Sequence, residues 1–218
     1  MLEIPTTRPT RLCLVRHGET EWNAERRIQG QIDIGLNPGG LRQAEAAGRW
    51  LQRAGLVALY SSDLQRAWHT ACAIGAATGL DPIAMPALRE RRYGIFEGLT
   101  YAELAASHPA GYAAFEARDP DYDFESGESL KAMYARVTGC LQALAASHPG
   151  MAIGLVLHGG LLDIVNRFVR GTPLEAPRDF LIPNAGINWI AWDGCRWAIE
   201  AWGETRHLEP GALDELPT

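Results

Sequence analysis

The sequence predicts an α/β fold: a three-layer α/β/α sandwich with a mostly parallel central sheet and helices on both faces. Three observations predict it. The runs RLCLVRH at 11–17 and MAIGLVLH at 151–158 are short and nearly continuously apolar, as strands buried on both faces must be. Between and after them, apolar residues recur at helical spacing. Strand and helix alternate, the pattern of crossover connections in a parallel sheet. A length of 218 residues suits a single domain over 1–218, with enough chain to bury a core without staples.

After the 11–17 strand, the breaker cluster Asn37-Pro38-Gly39-Gly40 opens a helix with Leu41, Ala44, Ala47, Leu51 and Ala54 on one face. Tyr60-Ser61 ends a strand and leads into a helix over about 62–78, with Leu64, Ala67, Trp68, Ala71 and Ile74 as its stripe. Ser62 or Asp63 is its expected N-cap and Gly79 its stop. The section 100–128, with Pro109, Pro120, several aromatics and many acids, breaks the rhythm and reads as an irregular excursion over the sheet's edge. Leu130, Met133, Tyr134, Val137, Cys140, Leu141 and Leu144 form the cleanest helical stripe, ended by His148-Pro149-Gly150. Leu161, Ile164, Val165 and Phe168 make a shorter one that stops at Gly171. Residues 181–202 read as two strands around a turn at Asp193-Gly194, and the last ten residues as a loose tail.

Twenty Lys+Arg against 26 Asp+Glu give a net charge of −6, which argues against a general nucleic-acid or anionic-membrane binder while leaving local basic pockets open. Apolar runs stay well short of the roughly 20 residues of a membrane-spanning helix. The opening MLEIPTTRPTR has no apolar stretch of the secretory kind. Cys13, Cys72, Cys140 and Cys195 are scattered without a CxxC pair, fitting a reducing compartment and giving no zinc spacing. The expectation is a cytoplasmic protein with no nucleic-acid or membrane partner; nothing in the sequence decides its oligomeric state.

Both buried-strand candidates end in His-Gly: Arg16-His17-Gly18 and His158-Gly159-Gly160. Ligands of open α/β sheets bind at the carboxyl ends of strands, where a glycine lets backbone approach closely. One strand-end histidine is more often a hydrogen-bonded core residue; two of them, one directly preceded by Arg, point to a shared crevice. Arg16 at the end of a buried strand is costly unless it meets an anion. Arg66 falls in a first helical turn, against the helix dipole unless an anion lies between. In Leu88-Arg89-Glu90-Arg91-Arg92-Tyr93-Gly94, one carboxylate sits among three guanidiniums, which by itself describes a surface salt-bridge network equally well.

The strings LVRHGETEWN (14–23) and RIQGQIDIGLNPGGLRQA (27–44), then YSSDLQRAWHTA (60–71), LRERRYGIFEGLT (88–100) and LVLHGG (155–160), resemble in order the blocks of the histidine phosphatase superfamily, in its phosphoglycerate-mutase-like branch. The resemblance covers about residues 11 to 200. It implies phosphoryl transfer through a phosphohistidine, with His17 as nucleophile, Arg16, Arg66 and His158 as donors to the phosphoryl oxygens, and Glu90 as proton donor. Asn23, Gln29, Gly30 and Gly159 are implied as further substrate contacts. No metal and no cofactor are implied, and the expected partner is a small phosphomonoester or phosphate. The remaining histidines, His69, His108, His148 and His207, are expected to be structural or solvent-facing.

Residues 101–128 hold one arginine, Arg118, against Glu103, Glu116, Asp119, Asp121, Asp123, Glu125 and Glu128. An acidic overhang would repel a second anionic group, which favours a phosphomonoesterase over a cofactor-dependent mutase. SGESLKAMYARV (126–137) and IPNAGINWI (182–190) also resemble the phosphatase side, where an α-ribazole-phosphate or sugar-phosphate phosphatase is the narrower alternative. The aromatics Trp22, Tyr93, Phe96, Tyr112, Phe115, Tyr122 and Phe124 are expected to wall the leaving-group side. A non-catalytic phosphate-binding scaffold is the alternative from another class.

Overall fold

A computed structural model describes residues 8–208; the expected tail lies outside the described residues. Six strands, β1 (Thr10–Arg16), β2 (Leu56–Ser61), β3 (Pro82–Ala84), β4 (Ala152–Leu157), β5 (Ile187–Trp192) and β6 (Trp197–Glu204), make one sheet in the order β3-β2-β4-β1-β5-β6. β3, β2, β4 and β1 run parallel, while β5 and β6 are antiparallel additions. The helices are α1 (Glu21–Ala24), α2 (Pro38–Leu51), α3 (Gln65–Thr78), α4 (Tyr101–Ser107), α5 (Pro109–Glu116), α6 (Leu130–Ser147) and α7 (Gly159–Arg170).

Side chains alternate across a strand, so the central stretches Leu12–Val15 of β1 and Ile153–Leu157 of β4, which serve two layers, carry no polar side chain. Leu12 and Leu14 of β1, with Ile153, Leu155 and Leu157 of β4, join the stripes of α6 and α7 in one core. Cys13, Val15 and Val156 face the other way, onto Ala47 and Leu51 of α2 and Ala67, Ala71 and Ile74 of α3. Burial among these side chains pushes the Cys13 thiol far up, so it is an inert core residue. Trp192, Trp197 and Trp202 pack against the α6–α7 core.

Four expectations need correction. Leu41 does not join the buried stripe of α2; it is 49% exposed. Neither Ser62 nor Asp63 caps α3, whose N-cap is Leu64 without a side-chain cap bond; Asp63 instead pairs with Arg89, and Ser62 turns inward. The 100–128 excursion is not irregular throughout. Thr100 and Glu103 form a reciprocal capping box that starts α4, and Pro109 at the first position starts α5 rather than breaking it. Finally, Phe96 and Phe124 do not wall a pocket. They are fully buried, with Ile28, Leu104 and Phe115, in a small aromatic core that anchors the excursion beside the sheet. The three-residue strand β3 was not anticipated.

Candidate active site

The site follows from strand register. Arg16 of β1 stands opposite Leu157 of β4, so the next residues, His17 and His158, emerge side by side at the carboxyl end of the sheet. Their ring centroids are 5.1 Å apart. Both rings are buried. The His17 amide donates to the Leu157 carbonyl at 2.9 Å, which carries the pairing one residue past the strand.

His17 Nδ1 lies 2.7 Å from the Gly18 carbonyl. A carbonyl only accepts, so Nδ1 carries the proton and Nε2 keeps its lone pair. Burial, then Arg66 and Arg16, hold the His17 pKa well below its ordinary value, against the opposing pull of the Gly18 carbonyl. Burial also depresses His158, with Arg66, His17 and Arg16 adding to it. Both imidazoles are therefore neutral at neutral pH. The neutral form is the one that can attack phosphorus.

Arg16 donates Nη1–H to the Ile182 carbonyl at 2.7 Å. Arg66, in the first turn of α3 and 1% exposed, spreads its guanidinium over two carbonyls: Nη1–H to Ile32 at 3.0 Å and Nη2–H to Gly30 at 2.7 Å. Glu90 is buried between two backbone donors. Oε1 accepts from Arg91 N at 2.7 Å, and Oε2 from Gly160 N at 3.0 Å in the first turn of α7. A Cβ at Gly160 would overlap that carboxylate, which is why glycine stands there. The sheet thus brings His17, His158, Arg16 and Arg66 together, with Glu90 beside the N-terminus of α7.

The weaker expectations divide. Gly159 opens α7 and lines the cleft beside Glu90, yet the N–H that holds the carboxylate belongs to Gly160. Gly30, at φ +53°, serves through its carbonyl on Arg66. Asn23 spends its side-chain oxygen on Thr20, in the capping box of α1. Gln29 is buried, and its Oε1 has no hydrogen-bond partner among the described residues. Of the other histidines, His69 is exposed, His108 stacks on Phe96, His148 ends α6 against Tyr60, and His207 meets the Ala185 carbonyl.

Sequence reasoning missed two supports. Ser62 Oγ meets His158 Nε2 at 2.8 Å, and Asn184 donates Nδ2–H to the His17 carbonyl at 3.2 Å. Both sit on loops between elements, where no periodicity marks them.

The charge of the excursion also reads differently in three dimensions. Glu103, Glu116, Asp119, Asp121, Asp123 and Glu125 face solvent, and Glu128 pairs with Arg136. Arg118 turns inward onto Asp163 and lines the cleft beside Gly159 and Gly160, with Arg91 and Arg178. That lining carries three cations and one acid, so the net charge of residues 101–128 says nothing about what the cleft repels.

The model of the histidine phosphatase superfamily (branch 1) matches residues 12–205. The chain belongs to the histidine phosphatase superfamily. Among its relatives in that superfamily is the phosphoglycerate mutase-like protein 4 of Arabidopsis thaliana, 39% identical over 202 residues, or 91% of this chain and 86% of that protein. The metal-independent phosphoserine phosphatase of Arabidopsis thaliana is 39% identical over 203 residues, or 91% of this chain and 83% of that protein. The solved structure of a mycobacterial glucosyl-3-phosphoglycerate phosphatase with VO3 superposes at a TM-score of 0.80 and 31% identity, covering 89% of this chain and 99% of that one. Phosphatases and a mutase-like protein thus share this superfamily core, and the chain is an α/β member of it. Among the described residues no helix is long and apolar enough to cross a membrane.

Proposed function

We propose that this chain hydrolyses phosphomonoesters of small metabolites through a phosphohistidine on His17, with Glu90 as proton donor. The observation that carries the reading is the His17 ring itself: neutral, locked by Gly18 into the tautomer with Nε2 as nucleophile, and flanked by His158, Arg16 and Arg66. Covalent capture divides one difficult displacement into two easier ones. In the first, Nε2 attacks phosphorus, the ester oxygen leaves, and Glu90 protonates it. In the second, Glu90 takes a proton from water as that water attacks the phosphohistidine. The guanidiniums meet the charge on the equatorial oxygens, the work a metal does in other phosphoryl-transfer sites. The two guanidiniums already carry that positive charge, and so the reading needs no metal.

Arg91, Arg118 and Arg178 line a cleft with Gly160, whose N–H holds Glu90, and extend this reading to the leaving group. A leaving group with its own carboxylate or second anionic group fits that lining. The names of the phosphoserine and glucosyl-3-phosphoglycerate phosphatases support it. The same cations favour a second reading, a cofactor-dependent phosphoglycerate mutase, which the mutase-like relative also supports. Hydrolysis of p-nitrophenyl phosphate in the presence of a chelator tests the first reading; absence of activity between pH 5 and 8 overturns it in favour of a non-catalytic scaffold. Conversion of 3-phosphoglycerate only when catalytic 2,3-bisphosphoglycerate is added would replace hydrolase by mutase.

A further inference from the structure

We infer that Glu97 is the positioning residue that ties the phosphate-binding arginine to the proton donor. The inference deepens the proposed function and rests on it for the roles of Arg66 and Glu90. A single oxygen, Glu97 Oε1, accepts two backbone N–H groups from segments far apart in sequence: Gln31 at 3.1 Å and Tyr93 at 2.9 Å. On the first side, Gln31 lies between Gly30 and Ile32, whose carbonyls grip the Arg66 guanidinium. The Gln31 N–H shares its peptide plane with the Gly30 carbonyl, so holding that amide fixes the plane that presents the Gly30 carbonyl to Arg66, and it anchors the residue next to Ile32. On the second side, Tyr93 follows Glu90 by three residues, and the Gln31 side chain closes the link by donating Nε2–H to the Glu90 carbonyl at 3.1 Å.

The loop is built around this carboxylate. Gly30 takes a left-handed φ of +53°, and a Cβ there would overlap Glu97 Oε1, so the backbone passes against the carboxylate as only glycine allows. Gly98 N–H donates to the Ile28 carbonyl at 2.9 Å and Ile28 N–H to the Leu99 carbonyl at 2.9 Å, pinning the two segments on either side of Glu97. Glu97 touches neither the phosphoryl group nor the leaving group in this account; it acts through Arg66 and Glu90.

The test compares the wild-type chain with Glu97→Gln, Glu97→Ala and Glu97→Asp, using p-nitrophenyl phosphate, phenyl phosphate and orthovanadate as probes. Glu97→Gln keeps an oxygen able to accept both N–H groups and should stay within about threefold of wild type on every probe. Glu97→Ala should weaken orthovanadate inhibition by roughly tenfold, because Arg66 loses its setting. It should also lower kcat/KM for phenyl phosphate several-fold more than for p-nitrophenyl phosphate, because the poorer leaving group needs Glu90 in place. A merely structural role would lower the melting temperature of Glu97→Ala and leave the orthovanadate constant and the ratio of the two esters unchanged; that result overturns the inference. Should Glu97→Ala not fold, Glu97→Asp, one methylene too short to reach both amides, decides by the same two readouts. If wild type cleaves neither ester, the proposed function fails, and calorimetric binding of inorganic phosphate to wild type and variants still decides whether Glu97 sets Arg66.

Discussion

His17 and His158 each follow the last residue of a parallel strand, and their ring centroids lie 5.1 Å apart in a buried site. Two imidazoles this close, with Arg16 and Arg66 beside them, cannot both be protonated without an anion to hold them. The folded pKa of each lies well below 6.5, the value for a free imidazole. Above about pH 6.5 both the folded and the unfolded chain carry these rings neutral. Below it, the unfolded chain binds protons that the fold refuses, so stability present above pH 6.5 is lost as the pH falls. The slope reaches about 1.4 kcal/mol per pH unit for each histidine. Denaturant titrations at pH 7.5 and 5.5 should show a smaller loss in His158→Gln than in wild type. Added phosphate should reduce the wild-type loss by binding the protonated form.

Arg66 makes its fork over the Gly30 and Ile32 carbonyls from a first-turn position on α3. A lysine ammonium is a point charge and cannot span both. Arg66→Lys should lower kcat/KM for p-nitrophenyl phosphate by about 10- to 100-fold, the scale of one or two lost charge-assisted bonds. Arg89→Lys, which disturbs only the Asp63 pair, should change it less than about threefold.

Glu90 is held by two backbone donors, one of them from Gly160, which lines the cleft proposed to take the leaving group. Glu90→Gln preserves the shape and removes the transferable proton. Its cost should grow with the pKa of the departing alcohol, from several-fold for p-nitrophenyl phosphate to about 10²–10⁴-fold for an alkyl phosphate. Equal losses on both esters would remove Glu90 from proton transfer.

Much of this architecture was legible because it depends on periodicity. The central residues of β1 and β4 serve two layers and are apolar on both faces, so the strand ends, and the histidines there, could be located from the sequence. Gly79 and Gly171 mark helix ends through left-handed φ values of 75° and 67°. The short edge strand β3 was invisible, since three residues, partly or fully exposed, carry no pattern. α4 and α5 were hidden by reading Pro109 as a breaker when it occupies the position that tolerates proline best. The direction of Arg118 was hidden for a different reason. Charge counted along a segment does not reveal which side chain the tertiary fold turns inward. Ser62, Asn184 and Glu97 act through contacts spanning 96, 167 and 66 residues, which no local pattern encodes.

Ser62 is the support of His158 from the end of β2, through a 2.8 Å bond to Nε2. Ser62→Ala leaves that buried nitrogen without its partner. We expect kcat to fall by about 5- to 20-fold with a smaller change in KM, the mark of a donor needed more in the transition state than in the ground state. Steady-state kinetics with p-nitrophenyl phosphate checks the split; a rise in KM alone would assign Ser62 to ground-state binding.

The most direct measurement is rapid quench of the enzyme with 32P-labelled phosphomonoester, followed by mapping of the labelled residue. The account predicts phosphate on His17 Nε2, stable to base and labile to acid, formed before product and missing in His17→Ala. Label on any other residue, or undiminished turnover in His17→Ala, would contradict it.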